Sequence, residues 1–259
     1  MVPAQAQALS QAECVAAITE HSAGFASAAH GRLDATVEHC PGWSVADLVA
    51  HVVDVHWFWA TIVEERLAEP PATHRRPARV PDDRLVATFR AGAERLCRVL
   101  ADAVPHDRVW TWAPAHRDVA FVIRHQVQEI AVHHWDVVRA AGGALLIMSD
   151  AAADAVDEFL DVSVPTTLNP TAADPTGAPS PALDGAFRFV SADTADSWLV
   201  EDGAAPGTVR VTRGSHASAP AVTAPAADLL LWLYRRVPLD TSDVDAALVA
   251  RFRALTSSD

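Results

Sequence analysis

The chain has 259 residues, half of them hydrophobic and a fifth charged, with 33 acidic against 20 basic side chains and a formal net charge of −13. This length suffices to bury one large core or two smaller ones, and the composition excludes a disordered chain. The acidic surface repels a phosphate backbone and so excludes nucleic acid from the expected partners.

The opening stretch, "MVPAQAQALSQAE", has neither the basic nor the apolar region of a secretory signal. No uninterrupted apolar run approaches the roughly 18–20 residues of a membrane span, so no membrane is expected. Helical spacing begins in "LSQAECVAAITEHSAGFASAA", where Val15, Ile18, Ser22 and Phe25 share a stripe. "CPGWSVADLVAHVVDVHWFWATIVEERL" follows with its own start signal: Ser44 caps, Asp47 stands at the third helical position, and Trp43 can staple onto Leu48. "THRRPAR" at 73–79 reads as a solvated connector. A third helix carries Leu85, Phe89, Leu96, Leu100 and Ala103 on one face. A fourth runs from about Asp118 to Ala141 and ends at Gly142-Gly143. Four amphipathic helices joined by moderate loops predict an antiparallel bundle, with a further helix near 149–162.

The texture then changes. Residues 164–183 carry prolines at 165, 170, 175, 179 and 181 and read as a linker. Short β-like runs start at Phe187, Ser197 and Thr208, separated by Asp- and Gly-rich turns, and predict a small antiparallel sheet. Two helices close the chain, one with Pro225 in its first turn and one with Val244, Leu248, Phe252 and Leu255 on a face. The expected fold class is α+β: a helical bundle domain over 1–163, a Pro-rich linker over 164–183 and a small α+β domain over 184–259. The three cysteines, Cys14, Cys40 and Cys97, are far apart and form no CxxC pair. They read as small buried hydrophobes in a reducing cytoplasm.

The fourth helix contains the chemistry. His125, Glu129, His133 and Asp136 project within a sector of about 80°, whereas His134 lies about 140° from Glu129 and cannot share that face. Glu129 and His133 are one turn apart, with Cβ atoms about 5–6 Å from each other, suitable for gripping one ion. The best third donor on a facing helix is His51, with His56 as competitor. His51, Glu129 and His133 would make a His2Glu site with one open position, the pattern of catalytic rather than structural zinc. The same geometry also fits a buried polar pair, and spacing alone leaves both readings open.

In order, "CPGWSVADLVAHVVDVHWFW", "EIAVHHWDVVRA" and "PAADLLLWLYRR" resemble the mycothiol-dependent maleylpyruvate isomerase family, which is related to the DinB-like bundle proteins. The resemblance implies a metal-binding four-helix bundle followed by a small α+β domain. It maps a divalent metal, usually zinc, onto His51, Glu129 and His133, with Asp136 orienting a ligand. Arg236 matches the arginine of a family Gly-Arg pair, and Arg235 replaces its glycine. Function is then expected to be thiol chemistry: metal-activated mycothiol attacks a small electrophile, as an isomerase or S-transferase, with Arg236 stabilising developing charge. His125 and Trp112 are the candidate cofactor-binding side chains bordering the cleft. A non-catalytic zinc-bundle binding or regulatory module and a metal-dependent hydrolase are the alternatives. The chain is expected to be a monomer or homodimer whose partners are the electrophile and the thiol. No G-x-S-x-G elbow supports a serine hydrolase.

Overall fold

Ser10 and Ser44 begin the first two helices in the same way. Each hydroxyl caps the backbone N–H three residues on, and the acid at that position, Glu13 or Asp47, returns a bond to the serine N–H. The computed structural model describes residues 9–164, 182–204, 208–214 and 218–256. The predicted linker falls almost wholly outside these described residues. The chain divides into two compact units, Leu9–Ile147 and Met148–Asp259.

The first unit contains α1 (Gln11–Ala29), α2 (Val45–Glu65), α3 (Asp82–Asp102) and α4 (Val119–Ala140). Helix α1 buries Cys14 rather than Val15, then Ile18, Ser22 and Phe25, so its inner stripe is displaced by one residue from the expected one at the first turn. Side-chain contacts fix the direction of each helix. Thr19 meets Cys97 and Phe25 meets Phe89, so α1 and α3 are antiparallel. His56 meets Phe89 and Arg95 reaches Thr61, so α2 and α3 run the same way. His51 meets Glu129 and Trp59 meets His125, so α2 and α4 are antiparallel. The bundle is therefore up-down-down-up, which corrects the expectation of a simple antiparallel bundle. The reason is the long connection 66–81, which carries the chain back along α2 before α3 begins. That connection is tied down by Arg75 to Glu65, Arg76 to Asp54 and Arg79 to Asp47. Bonds from Arg79 and Ser44 hold the Asp47 carboxyl down at about 2.

By length and composition α2 is apolar enough to cross a membrane, alone in this among the described residues. In the bundle its apolar side, including Val49, Val52, Trp59 and Ile62, is buried instead.

In the second unit α5 (Ser149–Glu158) is followed by a π turn, Phe159–Ser163, and packs on α6 (Ala226–Leu233). The strands are β1 (Ala186–Ser191), β2 (Ser197–Asp202), β3 (Val209–Arg213) and β4 (Ala221–Ala224), in the order β3-β2-β1-β4. β1–β2 and β2–β3 are antiparallel, but β4 pairs with β1 in parallel. The α+β class holds, while the wholly antiparallel sheet is corrected to a mixed one. Two successive hairpins return β3 to the direction of β1, and β4 arrives at the far edge after a crossing rather than a turn. Alternation in β1 points Phe187 and Phe189 inward, where Trp232 of α6 stacks within 3° of parallel on Phe252 of α7 (Ala246–Leu255). Trp198 donates its indole N–H to Asp157 at 2.9 Å, which ties β2 to α5.

Candidate metal centre on α2 and α4

Helix α4 is capped by Asp118, whose carboxylate accepts from the Phe121 N–H, and almost all of 126–137 is buried. A helix buried on so many sides has no solvated face for polar groups, so its Glu129, His133 and Asp136 must find partners inside. His133 Nε2 lies 3.5 Å from Glu129 Oε1, and His51 Nε2 approaches the same oxygen at 3.3 Å from α2. On the other edge of the His133 ring, Nδ1 is 3.1 Å from Asp136 Oδ2, a carboxylate with no exposed surface. The three donor atoms of His51, Glu129 and His133 all lie within 4.8 Å of one another. His51 keeps about a third of its side chain exposed, so the cluster opens to solvent on the α2 side.

Electrostatics make this a tightly coupled set. Burial alone would raise the Glu129 carboxyl. The charge of His133, hydrogen bonds from His133 and His51, and the charge of His125 outweigh burial and hold it well below the usual carboxylate range. Burial likewise disfavours a charged His133, but Glu129 and Asp136 raise it to about 9. Without an ion the cluster is an imidazolium between two carboxylates. An ion taken up there replaces that proton, since a metal ligand must be neutral imidazole.

The competitors separate cleanly. His134 turns away to α1, where its Nδ1 meets His21 Nδ1 at 3.1 Å. Gly24 makes that possible, because a Cβ there would fall 2.2 Å from the His134 ring. Burial and the neighbouring His21 push His134 down to about 4. His56 is buried in the core against Phe89, and burial pushes it to about 4 as well.

His125 and Trp112 come together, with ring centroids 5.4 Å apart, in an aromatic cluster with Trp59 and Phe121. His125 stacks on Phe121 at 12° and its Nδ1 lies 3.0 Å from Gln128 Nε2. Arg236 belongs to the second unit. It is buried, its Nη1 donates to the Tyr234 carbonyl at 2.7 Å, and its guanidinium lies over the Tyr234 ring. Arg235 adopts φ +66, the left-handed conformation that suits the glycine expected at this position. Its guanidinium compensates by donating to the Arg253 and Thr256 carbonyls at the end of α7.

Two residues beside the centre escaped the sequence reading. Cys40 brings its sulfur within 4.8 Å of donor atoms of His133 and Asp136, and so is not merely a small buried hydrophobe. Trp43 lies 5.2 Å from the His51 ring. Both sit on a loop folded back by the Val37–Trp43 and Ala35–Val45 backbone bonds. The clue available in the sequence was that this loop immediately precedes the helix bearing His51.

Residues 15–138 match the family described as Mycothiol maleylpyruvate isomerase N-terminal domain. No curated protein sequence matches the chain. Among solved structures, the fold is similar to one titled "Crystal structure of the mycothiol-dependent maleylpyruvate isomerase", with a TM-score of 0.55 at 12% identity, covering 88% of this chain and 90% of that one. The matched segment takes in α2 and nearly all of α4, and with them His51, Glu129 and His133.

Proposed function

We propose that the protein is a metal-dependent, thiol-using enzyme that takes mycothiol as cosubstrate and isomerises a small cis-configured electrophile of the maleylpyruvate type. The observation that carries this reading is the convergence of His51, Glu129 and His133 inside the segment that matches the family. The donor set fits a divalent ion of the zinc class: two imidazoles and one carboxylate, with Asp136 placed to fix the His133 ring through Nδ1. An ion held there supplies thiolate at neutral pH from a thiol whose free pKa is near 8.5.

The chain's own residues do the rest. Glu129 is kept ionised by its two histidines, so it remains a donor at any physiological pH. Asp136 holds His133 with Nε2 directed at Glu129. Trp112 and His125 offer an apolar wall with one polar edge for the cosubstrate. In the reaction the thiolate adds to one carbon of the cis double bond, the resulting single bond rotates, and elimination returns the thiol with the trans product. Negative charge builds on the substrate during addition, and a cationic or hydrogen-bonding group is needed to stabilise it. If the adduct instead takes up a proton at the carbon next to the new C–S bond and leaves without elimination, the same site performs S-transfer, and product analysis separates a trans isomer from a thioether. The reading places the protein in the thiol-rich cytoplasm, as monomer or homodimer.

The test is chelation, reconstitution with zinc, and assay with and without mycothiol. Activity that needs both supports the reading, and full activity without thiol overturns it.

A further inference from the structure

In the helical unit, buried side-chain polar atoms without a hydrogen-bond partner among the described residues occur at three places: Ser22 Oγ, both ring nitrogens of His56, and both amide atoms of Gln126. Ser22 is 4% exposed and the other two are 1% exposed. Buried groups of this kind are nearly always paired, so each one calls for a ligand, a water or another explanation.

The three come from three different helices, and contacts on either side of each bracket its height in the bundle. His56 on α2 lies between His51, which meets Glu129, and Trp59, which meets His125. Between Glu129 and His125 on antiparallel α4, the position opposite His56 is Gln126. Ser22 on α1 lies between Thr19, which meets Cys97, and Phe25, which meets Phe89. That range on α3 includes Phe89, on which the His56 ring rests at 5.3 Å. His56 stands five residues beyond His51 on α2 and Gln126 three before Glu129 on α4, each within about one and a half turns of a metal-centre residue, and the charges of Glu129 and His51 act on His56.

We propose that Ser22, His56 and Gln126 line an inner hydrogen-bonding chamber beside the metal centre, which takes up a neutral, hydroxyl- or amide-bearing portion of the thiol cosubstrate. The donor and acceptor inventory sets the ligand class. A neutral imidazole offers one N–H and one lone pair, an amide offers both functions, and a hydroxyl offers both. The complementary group must both donate and accept, as hydroxyls and amides do. A carboxylate or ammonium would be stranded there without a countercharge, so the charged ends of substrate or thiol are excluded. In the resting protein water takes the same bonds and is displaced on binding.

The inference rests on the thiol-using function proposed above, and its test separates the two. Zinc-loaded wild type, Gln126→Leu and the milder Ser22→Ala are titrated calorimetrically with mycothiol and with butanethiol, which has no hydroxyl or amide. Melting temperature and zinc content are measured alongside. For Gln126→Leu the expected result is mycothiol binding weakened roughly tenfold, the scale of one or two hydrogen bonds. Butanethiol binding and zinc content should stay as in wild type, and the melting temperature should be equal or higher. Ser22→Ala should show the same pattern to a smaller degree. Equal mycothiol affinity in all three proteins overturns the chamber, as does a loss shared equally by both thiols. A lowered melting temperature with unchanged affinity assigns the three residues to structural water instead, which also overturns it. Failure of wild type to bind mycothiol at all overturns the functional reading and the chamber together.

Discussion

The two units treat buried polar groups in opposite ways. In the C-terminal unit, Arg213 Nε apart, they close on one another: Asp196 takes bonds from Arg213 and Thr194, Ser191 bonds Asp193, and Asp193 also accepts the N–H of Ala226 at the start of α6. In the helical unit Glu129, His133 and His51 converge on one another instead of being locked into the backbone, and Ser22, His56 and Gln126 have no partner among the described residues. Polar burial thus serves architecture in one unit and leaves bonding capacity available in the other. Mutations should therefore dissociate stability from ligand binding according to the unit they strike.

The largest effect should come from His133→Ala, with zinc affinity reduced at least about 100-fold and activity abolished. Metal analysis and circular dichroism would show the ion lost from a folded bundle, and an unfolded variant would break the comparison. Asp136→Asn should weaken zinc binding by about 10–100-fold, with the fold retained. Asp196→Ala should do the reverse, costing about 3 kcal/mol in denaturant unfolding by stranding part of Arg213 while zinc content stays unchanged.

The metal-free protein should show a stability maximum near pH 6.5. His56 and His134 have folded values depressed to about 4, so their contribution is full above the unfolded value near 6.5 and lost as pH falls toward 4. His133 is raised to about 9, so its contribution is full below 6.5 and lost as pH climbs through 9. Losses on the order of 2 kcal/mol are expected on each side in chemical denaturation, and a flat profile would show that these rings are uncoupled from folding. The smallest effect concerns Arg235. Arg235→Gly relieves the left-handed backbone but loses the bonds to α7, so the two nearly cancel. Arg235→Ala loses the bonds and keeps the strain, and should be less stable than the glycine variant by about 1 kcal/mol.

Helix periodicity and capping were legible in the sequence, because they depend on neighbours three and four residues away. Ser44 and Asp47 are paired as their spacing predicts. Rotation about one helix axis also separated His133 from His134. The direction of α3 was hidden, because nothing local in 66–81 encodes a crossing. β4 was missed because four residues between Pro220 and Pro225 give too little alternation to register, and its partner β1 is far away in sequence. The proximity of Cys40 to His133 depends on a loop folding back on itself, a contact that no periodicity announces.

The pairing of His51 with Glu129 joins residues 78 positions apart on antiparallel helices. An ion gripping both acts as a reversible cross-link that exists only when the bundle is closed. It therefore stabilises the folded bundle by mass action, through bonds that the unfolded chain does not make. The melting temperature of the helical unit should accordingly rise with free zinc concentration, so that thermal unfolding reads out the occupancy of the centre.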